Sequence, residues 1–185
     1  MAKLIYASNT SLDGCTEDGG GAFDWAPPDS EVFASITELM GSVGTYLYGR
    51  RMYETMAVWE TEPSLATQSE LTGQFATTWQ AADKIVYSSG LAAPSTSNTR
   101  LERRFDPDAV AELKAAADRD LLVGGPNLAS QALAAGLVDE LHLFVWPVVL
   151  GGRNPALPTD TRIDLELLDV RRFDSGVVRV RYQLV

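Results

Sequence analysis

The chain has 185 residues, of which 45% are hydrophobic and 22% charged, enough for one domain with a sizeable core spanning residues 1–185. A net charge of −10 argues against nucleic-acid and membrane-surface partners, since both select basic patches. A single cysteine, Cys15, and a single histidine, His142, exclude an internal disulfide and a zinc site of the usual kind, so no metal is expected. The most apolar run, Leu141–Leu150, contains His142 and Pro147 and is too short to span a bilayer; with no signal-peptide pattern at the start, the cytoplasm is the expected compartment.

Lys3–Ala7 reads as a first strand and Ser8–Gly14 as its exit, with Asp13-Gly14 a strong turn signal. Gly14–Pro28 has three consecutive glycines, no periodicity, and two bulky apolar residues, Phe23 and Trp25. A loop of that length inside a compact domain is usually functional, and the aromatic residues suit a mobile flap over a pocket. Asp29 or Ser30 caps a helix reaching about Ser42, with Val32, Phe33, Ile36, Leu39 and Met40 along one face. Thr45–Tyr48 is a strand that ends in Gly49 and runs into a helix start carrying Arg50 and Arg51. Thr55–Gln80 is helical in parts, interrupted at Pro63 and Gly73.

Asp83–Tyr87 is a short strand leading to Ser88-Ser89-Gly90, a small polar turn. Leu91–Thr99 is a loop, Thr99–Phe105 a further short strand, and Asp106-Pro107 opens a helix to about Asp118. Leu121-Leu122-Val123 is a buried strand that turns at Gly124-Gly125 into a helix beginning at Pro126 and stopping at Gly136. Val138–Val149 alternates and then becomes continuously apolar, with Pro147 marking a bulge or edge. Gly151-Gly152 opens a loop to about Asp160, and Ile163–Phe173 and Val177–Val185 form an antiparallel hairpin. The whole describes an α/β fold with a mostly parallel central sheet and an antiparallel C-terminal hairpin.

In such sheets ligands sit beyond the carboxyl ends of the strands, where the three small-residue turns lie. Glycine there lets backbone approach a ligand, and the following helix start presents unpaired N–H groups to an anion. Arginine at one of these turns suits phosphate, because its planar fork binds oxyanions in bidentate fashion. No nucleophile is evident, because neither Ser11 nor Ser89 has a histidine nearby in sequence, and His142 within an alternating strand reads as structural. Asp13 and Asp29 are the carboxylates nearest the flap and the candidate catalytic groups. The competing readings are a turn residue for Asp13 and a helix cap for Asp29.

Four segments resemble the dihydrofolate reductase-like three-layer fold, and within it the reductase domain of the bacterial riboflavin-biosynthesis deaminase/reductase. They are Ser11-Leu12-Asp13-Gly14, Gly49-Arg50-Arg51-Met52-Tyr53-Glu54, Val123-Gly124-Gly125-Pro126-Asn127-Leu128, and Asp139–Leu143 continuing to Val148–Gly152. The resemblance implies an NADPH-dependent reductase of a small, heterocyclic substrate. The reductase step of riboflavin or folate synthesis itself, or a dinucleotide-binding protein without turnover, are the alternatives. It also implies a homodimer, with the apolar Phe144–Leu150 run available for pairing.

Residue by residue, the resemblance sets Ala7 and Ser8 near the nicotinamide and Gly49 with Arg50 on the adenosine-side phosphates, with Arg51 adjoining. Ser88 and Ser89 fall by the adenine ribose, and Gly124, Gly125, Asn127 and Leu128 around the pyrophosphate. Trp25-Pro27-Asp29 is similar to a run that ends in a folate-binding carboxylate, which makes Trp25 and Asp29 substrate residues. Met52 stands where a hydroxyl residue is common, and Asn127 where a basic one is.

Overall fold

Eight strands form one sheet in the computed structural model of residues 1–185. In spatial order they are β5 (Thr99–Glu102), β4 (Asp83–Tyr87), β3 (Val43–Gly49), β6 (Asp120–Gly124), β1 (Leu4–Thr10), β7 (Glu140–Val145), β10 (Val178–Leu184) and β9 (Leu165–Arg172). The first six are mutually parallel, and β10 and β9 return antiparallel. The parallel strands therefore all end along one edge.

Residue parity on the strands sends alternate side chains to opposite layers. Tyr6, Leu47, Leu121 and Val123 face α5 (Pro107–Ala116) and α6 (Pro126–Ala134). Tyr46, Tyr48, Val86 and Leu122 face α1 (Ser30–Ser42), α2 (Arg50–Thr61) and α4 (Glu70–Ala81). The result is the expected three-layer α/β arrangement with its antiparallel edge. The one-turn α3 (Pro63–Ala66) bridges α2 and α4. A third, smaller core gathers Val32, Phe144, Trp146, Phe173 and Val177 beneath the hairpin turn.

Several boundaries differ from the sequence reading. β1 continues to Thr10, because Ser8, Asn9 and Thr10 pair with Leu143, Phe144 and Val145 of β7. The flap and the loop after Gly151 each contain a three-residue strand, β2 (Cys15–Glu17) and β8 (Arg153–Pro155), and the two pair with each other. Their approach is tight at Gly152, where a Cβ would stand 2.0 Å from the Glu17 carbonyl oxygen. Gly73 lies within α4 and interrupts nothing; Ser69 starts that helix with a capping box to Thr72. Pro147 follows the end of β7, so it ends pairing without a bulge, and the register shift falls at Arg181/Tyr182 of β10 instead.

Within the run Phe144–Leu150, Phe144 and Trp146 are buried in the third core, Pro147 and Val149 are exposed, and the others are half-buried. Four exposed apolar side chains lie on β9, Leu165, Leu167, Leu168 and Val170, while Leu12, Phe23 and Val149 are exposed elsewhere. No helix is long and apolar enough to cross a membrane, and no group of three or more His, Cys, Asp or Glu side chains is placed to hold a metal ion.

Candidate functional site

A cavity of about 910 Å³ opens along the carboxyl ends of β1, β3, β4, β6 and β7. The elements that surround it follow from local sequence. β3 and β6 each end in glycine and β4 runs into Ser88-Ser89, and the chain turns away from the sheet at these points.

Two of these exits share one feature. The N-caps of α2 and α6 are Gly49 and Gly125, and neither helix has a side chain bonded to its first-turn amides. The other three long helices are all capped by their own sequence: α1 by Asp29, α4 by Ser69 and α5 by Asp106. The uncapped N–H groups of α2 and α6 lie against the cavity, where Gly49, Arg50, Gly125, Asn127 and Leu128 are wall residues. Helix starts left open in this way are anion sites, because unpaired donors and the helix dipole act together.

The two glycines of the β6 exit have different causes. At Gly124 a Cβ would stand 2.8 Å from the ring of Tyr48 and 3.2 Å from Met52, so this glycine lets β6 pack on β3 and α2. At Gly125 φ is +93°, a conformation that strains any L side chain.

Arginines and serines collect on the β3, β4 and β5 side. Arg50 is half exposed, pairs with Glu54 at 3.4 Å, and lies beside the Ser88–Gly90 turn; a Cβ on Gly90 would be 3.9 Å from its Nη1. The Ser88 hydroxyl is spent on the turn, accepting from the Gly90 and Leu91 amides at 3.3 and 3.0 Å, which leaves Ser89 as the free hydroxyl. Arg103 holds that turn from behind, donating to the carbonyls of Ser88, Ser89 and Leu91. Arg104 also reaches the wall and has no protein partner, a cation the sequence reading missed. Arg51 does not face a free anion position: its guanidinium is paired with Glu17 of β2 at 2.9 Å, fastening the flap to the start of α2. Glu17 also accepts from Asn154 Nδ2 of β8.

The β1 and β7 side is apolar. Ala7, Ser8 and Asn9 lie in the C-terminal half of β1; the Ser8 hydroxyl donates to the Asn9 carbonyl at 3.0 Å. The Asn9 side-chain oxygen accepts from the Trp146 indole at 3.1 Å, which turns its amide NH₂ outward as a donor. Trp25 of the flap meets Trp146 edge to face at 6.4 Å and lines the cavity. Phe33, Trp59 and Phe75, from three different helices, stack with centroids 4.6–5.9 Å apart on another wall.

The two carboxylates chosen from sequence lie elsewhere. Asp13 accepts from the amides of Leu150 and Gly151 at 3.1 and 2.8 Å, tying the β1 exit to the loop after β7. The neighbouring Ser11 hydroxyl and these amides hold its carboxyl down to about 2. Asp29 caps α1 through the Val32 amide at 2.9 Å, and the Ser175 hydroxyl with that amide lowers its carboxyl as well. Neither lines the cavity, so the structure gives both a structural task and corrects their assignment as catalytic or substrate groups. Glu17 is the single carboxylate on the wall. His142 is buried in β7 and donates Nε2–H to the Glu140 carboxylate at 2.9 Å. Burial lowers its basicity, with the hydrogen bond to Glu140 acting against that.

Comparison with known proteins meets this geometry. The RibD C-terminal domain model matches residues 2–179. The chain belongs to the RibD C-terminal domain family. A similar protein is the uncharacterized YyaP of Bacillus subtilis, 29% identical over 97% of this chain and 94% of that one. A putative riboflavin biosynthesis protein of Shewanella sp. PV-4 has the same fold, with TM-score 0.77 at 19% identity and 99% of each chain covered. A pyrimidine reductase-like protein of Corynebacterium diphtheriae superposes with TM-score 0.67 at 14% identity over 100% of this chain and 92% of that one. Both are below the identity at which more than the fold is shared. Membership in the RibD C-terminal domain family agrees with the resemblance carried by the four sequence motifs.

Proposed function

We propose that the chain is an NADPH-dependent reductase of a small substrate. The observation that carries this reading is the pair of uncapped helix N-termini opening on one cavity, in a molecule whose other long helices cap themselves. A dinucleotide is the ligand class that presents separate phosphates to two such positions. The Asn127 and Leu128 amides at the start of α6 would receive the pyrophosphate, with Gly124 and Gly125 beneath it. Arg50, Ser89 and Arg104 would receive the phosphate on the adenine ribose, near Gly49 and Ser88.

Bound in this way, NADPH supplies a hydride. The chain's own task is to orient and to keep water out. Ala7 and Ser8 form the floor at the end of β1, Asn9 offers a donor, and Phe23 and Trp25 of the flap cover the apolar side. Arg51 and Glu17 hold that flap in place. With Asp13 and Asp29 occupied elsewhere and Glu17 ion-paired, the proton that accompanies reduction comes from solvent.

The test is equilibrium titration with NADPH and NADH followed by tryptophan fluorescence. NADPH should bind about tenfold tighter or more, as one charge-assisted contact supplies. Binding of neither dinucleotide contradicts the reading. Family membership also favours a second, narrower reading, the pyrimidine reduction of riboflavin synthesis. Rescue of a riboflavin auxotroph lacking that reductase supports it, and failure to rescue returns the substrate to an open class. A homodimer through the exposed β9 face belongs to the same proposal, since Leu165, Leu167 and Val170 form an apolar stripe on an edge strand.

A further inference from the structure

Two hydrogen-bond donors near the β1–β7 end of the cavity have no partner in the protein. The first is the Asn9 amide, whose oxygen accepts from the Trp146 indole at 3.1 Å, so that its NH₂ points away from Trp146. The second is the Trp25 indole N–H, which is shut off from water and bonded to nothing, although Trp25 lines the cavity. A buried donor left unpaired is uncommon in a folded protein and calls for an explanation. Trp146 organises both donors, one through that hydrogen bond and the other through an edge-to-face contact with centroids 6.4 Å apart.

Their place in the fold suits a substrate. Asn9 shares a face of β1 with Ala7, two residues or about 7 Å further along the strand. It is paired with Phe144 of β7, and Ala7, Asn9, Phe144 and Trp25 are all wall residues. A nicotinamide over Ala7 thus leaves the breadth of one ring before the two donors. Trp25 lies in the flap stretch Asp18–Pro28, which has no helix or strand, so a small shift of the flap carries its N–H onto an oxygen held by Asn9. The side-chain oxygens nearby are already occupied. Asp29 is on the Val32 amide, Glu17 on Arg51 and Asn154, and Asn9 Oδ1 on Trp146.

Resting on the reductase reading, we infer that Asn9 and Trp25 are a specificity pair that receives a carbonyl oxygen of the substrate ring, so that the protein takes oxo-heterocycles and rejects their amino counterparts. A carbonyl oxygen has two lone pairs and accepts from both donors at once. An exocyclic amino group in its place would set N–H against N–H and leave both donors unpaired, and sites built on hydrogen bonds discriminate strongly on that ground. A charged substituent elsewhere on the ring is compatible with the pair. The two donors also stand where charge develops. A ring C=N bond conjugated with the carbonyl gains a C–H bond from the dihydronicotinamide hydride, which oxidises the nicotinamide. The displaced π pair passes to the carbonyl oxygen, and a proton from water completes the reduction at nitrogen.

The test is calorimetric titration of the intact protein, saturated with NADP⁺, with 2,4-dioxopteridine and with 2,4-diaminopteridine. Each probe carries the same substituent at both positions, so its orientation in the site does not blur the comparison. The dioxo compound should bind at least about tenfold tighter, as two hydrogen bonds imply. Asn9→Asp keeps an oxygen for Trp146 but replaces the NH₂ with a second oxygen, and should cut that ratio by about tenfold or more. Trp25→Phe keeps an aromatic ring in the flap without the N–H, and should cut it about threefold to tenfold; it also serves if the Asn9 variant does not fold. Equal affinity for the two pteridines, preference for the diamino compound, binding of neither, or an unchanged ratio in a folded variant overturns the specificity pair and leaves the reductase reading standing. Failure to bind NADP⁺ and NADPH overturns the reductase reading and this inference with it.

Discussion

The two ends of the cavity are built on opposite principles. At the β3–β4–β6 end the chain leaves its own backbone donors unsatisfied: Gly49 and Gly125 stand where a capping side chain is normal, and Arg50, Ser89 and Arg104 stand around them. Near the β1–β7 end most polar groups already have a protein partner, the exceptions being the Asn9 amide NH₂ and the buried Trp25 indole N–H. Asp13 is on the Leu150 and Gly151 amides, Asp29 on Val32, Asn9 Oδ1 on Trp146, and Glu17 on Arg51. Open helix starts beside arginines thus mark where a charged ligand belongs, and two neutral donors among aromatic walls mark the place of the acceptor. The contrast says more than the list of wall residues, because it distinguishes polar atoms awaiting a partner from polar atoms at work.

The largest expected effect falls on β7, the strand that carries both the acceptor wall and the Glu140–His142 pair. Burial opposes ionisation of Glu140, but hydrogen bonds from Lys3, His142 and Arg181 prevail and bring its carboxyl down to about 2 from an ordinary 4.5. That stabilisation is present above the ordinary carboxylate range and lost as pH falls from about 4.5 toward 2, on the order of 3 kcal/mol in all. His142, depressed by burial, adds a milder loss that begins as pH falls below its ordinary 6.5, because the unfolded chain takes up the proton first. Urea melts between pH 3 and pH 8 should show both limbs. His142→Gln should remove the upper one and keep the lower, and flat stability across the range would contradict the assignment.

The next effect breaks the comparison at the phosphate end. Asn127→Asp places a carboxylate among the open amides of α6. If they serve an anion, dinucleotide affinity should drop about 10–100-fold, as loss of a charged contact implies. The same change should raise stability by about 0.3–1 kcal/mol, because an acid suits a helix start. Opposite signs in titration and thermal melting are the diagnostic outcome, and a gain in stability with unchanged affinity would mean that the missing caps have no ligand. This variant probes the site better than a change at Gly125, whose φ of +93° makes any side chain a backbone problem as well.

Arg50→Ala sharpens the distinction within that end. It should weaken NADPH about tenfold, toward the lower part of the charge-assisted range because the side chain is half exposed, and leave NADH nearly unchanged. Equal loss for both cofactors would move Arg50 to the shared pyrophosphate. The smallest effect is on the flap. Glu17→Gln removes its ion pair to the exposed Arg51, worth about 0–1 kcal/mol. Amide exchange across Cys15–Glu17 should rise up to about fivefold, and bound NADPH should slow it again. Unchanged exchange in both states would make the segment a fixed part of the β2–β8 sheet.

The parts of this site that local sequence encodes were legible. An apolar run ending in glycine before a helix start is written within a few residues, so the exits at Gly49 and Gly124-Gly125 and the small turn at Ser88-Ser89 could be found without the fold. What a carboxylate does could not. Asp29 finds its partner three residues away, but Asp13 finds its partners 137 and 138 residues away, and nothing near either aspartate says which hydrogen bond wins. The Phe33–Trp59–Phe75 wall joins three helices and has no sequence signature, although each residue alone reads as core. The strands β2 and β8 are too short to show periodicity. β9 alternates like a half-buried strand yet exposes Leu165, Leu167 and Val170, because alternation shows that a face is apolar and not what covers it.

The central claim, that one cavity holds a dinucleotide at its open helix starts and an acceptor at its aromatic end, is met most directly by a crystal structure with NADPH bound. The account predicts the pyrophosphate on the amides of Asn127 and Leu128, the ribose phosphate beside Arg50 and Arg104, and the nicotinamide over Ala7 and Ser8 facing Trp25 and Phe144. A dinucleotide lying the other way round, with its adenine against the aromatic wall, would contradict it.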